Sequence, residues 1–267
     1  MNGFDPAASN ERLHRKHRSS KHSIEHSQTA DSSVADGGRA TFDRFLVPFE
    51  LPEAEPVPPA LAEWIGGSHV VVLGHYAVPS QTPPELLRRQ AEEDAKAELA
   101  RCCEPLERHD ATVETQLVFG RERTETIDRV AREMSCGVEV APAPAGEIDR
   151  VLVPLRTMDQ VHLFAGILAQ TEALITLFHV AEGDTSRATV ETKLEKAQRQ
   201  LNKACETTVT TAVGTGRHRK AIVEAAELHD LVVMGETGAD LATRVFGPLP
   251  DRIVEQADTP VFVVRSD

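Results

Sequence analysis

The sequence predicts an α/β protein made of two tandem parallel-sheet domains. Short continuous apolar runs read as strands buried on both faces. They alternate with charged segments of helical periodicity, the pattern of parallel strands wound with right-handed crossovers. The series also occurs twice: Phe42-Asp43-Arg44-Phe45-Leu46-Val47-Pro48-Phe49-Glu50 returns as Ile148-Asp149-Arg150-Val151-Leu152-Val153-Pro154-Leu155-Arg156.

Each copy opens with that strand, ended by a proline where the chain turns into a loop. A short helix is expected next, over 59–65 in the first copy and 158–170 in the second. Second strands follow at 69–76 and 173–180, then longer charged helices at 85–108 and 188–205. Leu194, Ala197 and Leu201 give the latter an apolar stripe at helical spacing. Third strands at 112–119 and 207–213 end in Gly120 and Gly214. Helices at 124–134 and 219–228 lead to fourth strands at 138–141 and 231–234.

The copies then diverge. After Met234 the chain continues through Gly235, a helix near 251–256 and a final strand over 260–265. After Ala141 it passes through Pro142-Ala143-Pro144-Ala145-Gly146 straight into the second copy. The expected organisation is a disordered tail over 1–41, a degenerate domain over 42–146 without its last helix and strand, and a complete domain over 147–267. A sheet that stops at its fourth strand exposes an edge, so pairing of the two halves into an internal pseudo-dimer is the simplest remedy.

Composition narrows the partners. Forty-two acidic residues against 29 basic ones give a formal charge of -13, which opposes nucleic acid and anionic membranes as partners. Residues 1–41 hold six Lys/Arg against five Asp/Glu, so the acidic excess belongs to the remainder. Their Ser, His, Arg and Asp content lacks the apolar periodicity needed to offset the entropy of ordering. Only seven lysines occur, and an acidic, lysine-poor surface fits a protein of a halophilic archaeon; an ordinary acidic cytosolic protein shares that composition. Cys102, Cys103, Cys136 and Cys205 lack C-x-x-C spacing and are expected to be reduced and structural, with no metal. The apolar stretch 163–178 is broken by Gln170, Thr171 and Glu172, so no membrane span is expected, and the first residues show no apolar leader. A cytoplasmic location is the default reading.

One corner stands out as a candidate site. Asp230-Leu231-Val232-Val233-Met234-Gly235-Glu236-Thr237-Gly238 joins a buried strand to a flexible turn, and Gly247-Pro248 follows. In parallel α/β sheets ligands collect outside the strand carboxyl ends, where glycines let backbone N–H groups approach phosphate. Turns need glycine in any case, so two glycines alone are weak evidence.

Taken with Val213-Gly214, Ile222, Ala226 and the strand Pro260-Val261-Phe262-Val263-Val264-Arg265, the run resembles the second half of universal stress protein domains. The resemblance extends over 147–267 and, more weakly, 42–146. It implies a Rossmann-like, nucleotide-binding-like fold and a stress-response role. It further implies dimeric association, and ATP or AMP as the ligand of some members. The candidate binding residues are Pro154, Leu155, Arg156, Val180, Val213, Gly214, Gly235, Gly238, Gly247 and Pro248.

Two departures from the family pattern weaken ATP as a cofactor here. ATP-binding members resemble G-x-x-G, nine residues, then Gly followed by Ser or Thr. Eight residues separate Gly238 from Gly247, and Pro248 offers neither a hydroxyl nor an N–H. Where members tend to end their first strand in Pro-x-Asp, this chain has Pro154-Leu155-Arg156. Arg156 is either a direct phosphate contact or a surface salt bridge. The first half has no equivalent loop and is expected to bind no nucleotide.

Rival motifs fail. Gly214-Thr215-Gly216-Arg217-His218-Arg219-Lys220-Ala221 lacks the Gly and the Ser/Thr that a phosphate loop needs at Arg219 and Ala221. No G-x-S-x-G or H-E-x-x-H occurs. His75 and His179 end equivalent second strands and are expected to satisfy backbone groups. The leading expectation is a non-enzymatic binding or signalling module. A nucleotide-binding member with slow or no hydrolysis and a ligand-free domain docking on a transporter or enzyme are the alternatives.

Overall fold

The strands predicted from the apolar runs all form, and they form one sheet. The structure, a computed structural model, describes residues 44–169, 171–181, 186–236 and 248–265, apart from the side chains of Asp159 and Pro248. These residues fall within the compact unit spanning 38–267. The expected tail, Gly238 and Gly247 lie outside the described residues.

In chain order the elements are β1 (Arg44–Leu51), α1 (Pro59–Trp64), β2 (His69–Ala77), α2 (Pro84–Arg108), β3 (Thr112–Gly120), α3 (Arg123–Glu133) and β4 (Val138–Ala141). Residues 142–149 carry neither helix nor strand. There follow β5 (Arg150–Pro154), a 3-10 turn (Met158–Gln160), α4 (Val161–Leu168), β6 (Leu174–Val180), α5 (Arg187–Leu201), β7 (Val209–Gly214), α6 (His218–Ala226), β8 (Leu231–Gly235), α7 (Pro248–Ala257) and β9 (Val261–Val264).

Local chemistry sets the helix ends. Pro59 and Pro84 open α1 and α2, where a missing N–H costs nothing. Ser186 caps α5 by accepting from the Thr189 amide at 3.2 Å. The α5 stripe of Val190, Leu194, Ala197 and Leu201 is buried against the sheet. The expected helix over 158–170 is shorter and begins as a 3-10 turn, because Thr157 and Gln160 tighten its first turn. Among the described residues no helix is long and apolar enough to cross a membrane.

The strand order is β3-β2-β1-β4-β9-β8-β5-β6-β7. Every neighbouring pair is parallel except β4 and β9, which run antiparallel with Val138 opposite Val264 and Ala141 opposite Val261. That ladder occupies the edge β4 would otherwise expose. Strand direction reverses there, so the carboxyl ends of β1 and β4 lie on the opposite sheet edge from those of β5 and β8.

The two faces of the sheet treat this seam differently. Beneath α1, α2, α4 and α5 a single apolar cluster crosses it, with Phe45 and Phe262 edge to face at 6.0 Å between ring centroids. On the other face the apolar contacts are divided. One cluster packs Leu46, Val71 and Leu73 under Ile127 and Val130 of α3; another packs Val232 and Met234 under Ala226 of α6 and Ile253 of α7. Between them lies a polar seam.

Arg265 donates to Asp128 Oδ1 at 2.9 Å and lies 3.9 Å from Glu139 Oε2. Asp128 is also held by Arg132. These hydrogen bonds, with Arg132 foremost, keep the Asp128 carboxyl below its ordinary range despite burial. Glu139 is 2% exposed and its Oε1 has no partner. Burial pushes its carboxyl up to about 8, against the pull of Arg265 and Arg123.

Two outcomes are expected. Phe262→Ala removes the ring that joins both halves in the apolar cluster, and denaturant unfolding should show a loss of about 3–5 kcal/mol. Glu139 binds its proton more tightly in the folded chain than in the unfolded one, so its contribution falls as pH rises from about 4.5 to about 8. Thermal melts across that range should show Glu139→Gln flattening the decline and stabilising the protein most at the alkaline end, by on the order of 1–2 kcal/mol.

Candidate ligand corners at the strand ends

The predicted corner is built where β5 and β8 part, at the point where crossovers leave the sheet on opposite faces. Pro154 ends β5 and is buried. Leu155 is 1% exposed and its amide donates to the Phe178 carbonyl at 2.7 Å, tying the loop to β6. Arg156 follows on the surface.

Gln160 fills the crevice. Its Oε1 accepts from the Arg156 amide at 3.1 Å and the Thr157 amide at 3.2 Å. The same side chain lies against the end of β8: a methyl group added at Gly235 would meet Gln160 Nε2 and the Phe164 ring at 3.5 Å. Two N–H groups that face a ligand crevice in this type of sheet are thus bonded within the protein. The signal for it is in the sequence, since Thr157 and Gln160 have the spacing of a capping box.

The remaining predicted residues line the neighbouring strand ends. Val180 closes β6 and is buried, Val213 and Gly214 close β7, and the Ala181 amide donates to the Gly214 carbonyl at 3.0 Å. Gly214 has a packing reason to be glycine, because an added Cβ would lie 2.4 Å from Cζ of Phe178. Pro248 opens α7, while Gly238 and Gly247 fall outside the described residues. The structure therefore brings Arg156 and Gly235 together at Gln160, with Pro154 and Leu155 on the same loop and Val180, Val213 and Gly214 at the neighbouring strand ends. The cationic run after Gly214 enters α6, where Lys220 pairs with Glu224 at 3.1 Å.

The two strand-end histidines differ. His179 meets the expectation, its Nδ1–H donating to the Leu155 carbonyl at 2.7 Å. His75 does not: it is 1% exposed and neither ring nitrogen has a partner. Burial lowers its pKa, as does the Arg123 guanidinium, with Glu50 opposing both. Gly120 lies close to the ring, since a Cβ added there would stand 3.4 Å from His75 Nε2. Cys102, Cys103, Cys136 and Cys205 are buried thiols. Burial pushes Cys103 up to about 12 and Cys136 up to about 11. Among the described residues no group of His, Cys, Asp and Glu could hold a metal ion.

On the opposite sheet edge, the carboxyl ends of β1 and β4 frame a cavity of about 520 Å³. Glu50, Arg123, Asp251 and Glu255 are its charged walls together with Glu55. No sequence motif marks it, since its lining comes from β1, the segment before α1, α3, the segment after β4 and α7.

Comparison with known proteins agrees with this architecture. A universal stress protein from Archaeoglobus fulgidus DSM 4304 aligns with a TM-score of 0.58 at 16% identity, covering 84% of this chain and 98% of that one. A Pseudomonas aeruginosa PAO1 protein of unknown function aligns with a TM-score of 0.50 at 15% identity, covering 85% and 93%. At such identities the likeness speaks for the fold. No curated protein matches the sequence. Residues 147–265, the part that holds the Gln160 corner, match the Universal stress protein family.

Proposed function

We propose that the chain is a non-enzymatic stress-response protein of the universal stress type, acting as a binding or signalling module. In this reading residues 42–146 and 147–267 are tandem domains, and the β4–β9 ladder stands in for the contact between two subunits. The family match over 147–265 supports the stress-response role. The observation that carries the binding-module reading over a nucleotide hydrolase is the placement of Gln160, whose Oε1 takes the Arg156 and Thr157 amides beside Gly235. A phosphate would have to displace an existing pair of hydrogen bonds to reach those amides.

A second reading, ATP or AMP binding at the same corner, is favoured by one specific feature. Arg156 is exposed at the loop, and its guanidinium makes no hydrogen bond or ion pair among the described residues. Such a group binds phosphate in a bidentate manner when it can reach one. A cytoplasmic setting and a halophilic source remain part of the proposal, supported by the acidic, lysine-poor composition.

Thermal melts of the full chain with Mg·ATP decide between the readings. The binding-module reading predicts a shift below about 1 °C at millimolar nucleotide for the native sequence. Gln160→Ala frees both amides and the space beside Gly235, and should raise the shift several-fold. A rise of several degrees with the native sequence, or adenine nucleotide released from the purified protein on denaturation, would establish the second reading instead.

A further inference from the structure

The cavity at the carboxyl ends of β1 and β4 plays no part in the reading above, and its chemistry differs from that of the Gln160 corner. About 520 Å³ lies within the range of small-molecule pockets. Its walls combine an apolar surface from Phe49, Ala143 and Val254 with stiff proline segments before α1 and after β4. Pre-formed walls of this kind lower the ordering cost of binding.

The charged groups are arranged around that surface without pairing to one another. Arg123, the first residue of α3, has a buried Nε–H that meets no acceptor. Asp251 and Glu255 stand one turn apart on α7, and Glu50 and Glu55 come from the β1 side. No hydrogen bond or ion pair joins the side chains of these five to others among the described residues. Partial burial raises the Asp251 carboxyl, with Arg123 opposing the rise and Glu255 adding to it. Behind the wall, His75 sits between the fields of Glu50 and Arg123 with both nitrogens unpartnered.

Charge selects among ligand classes. A nucleotide would bring two or more negative charges among four carboxylates, with one arginine to receive them. A bare metal cation would gain nothing from the Arg123 guanidinium and would be repelled by it. A molecule with one carboxylate and more than one ammonium group satisfies both signs. We propose that this cavity binds a small zwitterion of the cationic amino-acid class, its carboxylate on Arg123 and its ammonium groups among Glu50, Asp251 and Glu255. Both halves contribute, because α7 belongs to the second and every other wall to the first.

Titration calorimetry of the full chain at constant salt tests this with L-lysine, cadaverine and glutarate as probes. Cadaverine has the two ammonium groups without the carboxylate, and glutarate has only carboxylates. The expected result is that L-lysine binds at least about tenfold more tightly than cadaverine, that glutarate does not bind, and that Arg123→Gln abolishes the preference for L-lysine. Glu255→Gln, on the solvent side of α7, should weaken L-lysine several-fold in a protein whose melting temperature is unchanged. Equal affinity for L-lysine and cadaverine, or a preference that survives Arg123→Gln, would reduce the cavity to an acidic patch and overturn the proposal. Binding of none of the three would overturn it as well. None of these results bears on Gln160, which lies on the other sheet edge.

Discussion

The antiparallel ladder between β4 and β9 is the constraint on which the rest of the molecule depends. A parallel four-stranded sheet that stops at β4 leaves a row of unpaired N–H and C=O groups. Pairing with β9 satisfies that row from within the chain, at Val138 to Val264 and on to Ala141 with Val261. Because this single pair is antiparallel in an otherwise parallel sheet, it also fixes the polarity of everything beyond it. The carboxyl ends of β5 and β8, with Gln160, face one sheet edge; those of β1 and β4, with Arg123 and Glu50, face the other. The same reversal carries α7 across the seam, so that Asp251 and Glu255 become walls of a cavity whose floor belongs to the first half.

The seam is asymmetric between its two faces. On one side Phe45 against Phe262 makes the core continuous, and non-directional apolar burial supplies the adhesion. On the other, Asp128, Arg265 and Glu139 occupy the gap between two separate apolar clusters. Buried charges add little net stability compared with apolar packing, since desolvation offsets their attraction. Their geometry is selective, however. Arg265 is placed to meet Asp128 when β9 is in register with β4, and a one-residue slip would turn its neighbours to the opposite face.

Much of the fold was legible in the sequence, because periodicity and order are local properties. Runs such as Val70 to Leu73 or Leu231 to Met234 are apolar on both faces, and that pattern has few solutions other than a parallel strand beneath helices. Helix ends were less legible: the periodicity over 158–170 predicts one helix, whereas the Thr157–Gln160 pair starts it as a 3-10 turn and α4 ends at Leu168. Of the candidate corner, Pro154, Val180, Gly214 and Gly235 end their strands as the sequence order predicts, and Leu155 and Arg156 follow directly, because strand order and length are local properties. What the sequence hid was contact across distance. Gln160 reaching Gly235, Phe178 demanding glycine at 214, and the union of Glu50, Arg123 and Asp251 each depend on residues far apart in the chain. His75 and His179 hold matching positions in the pattern, yet only one has a carbonyl to bond.

Native-state hydrogen exchange of the amides in β4 and β9 tests the central claim most directly. If the ladder joins both halves into one cooperative sheet, these amides should exchange only through global unfolding, with the same free energy as the buried strands β1 and β8. Exchange from β4 and β9 through a lower-energy opening, while β1 and β8 remain protected, would show two sheets that touch rather than one that is continuous, and would contradict the account.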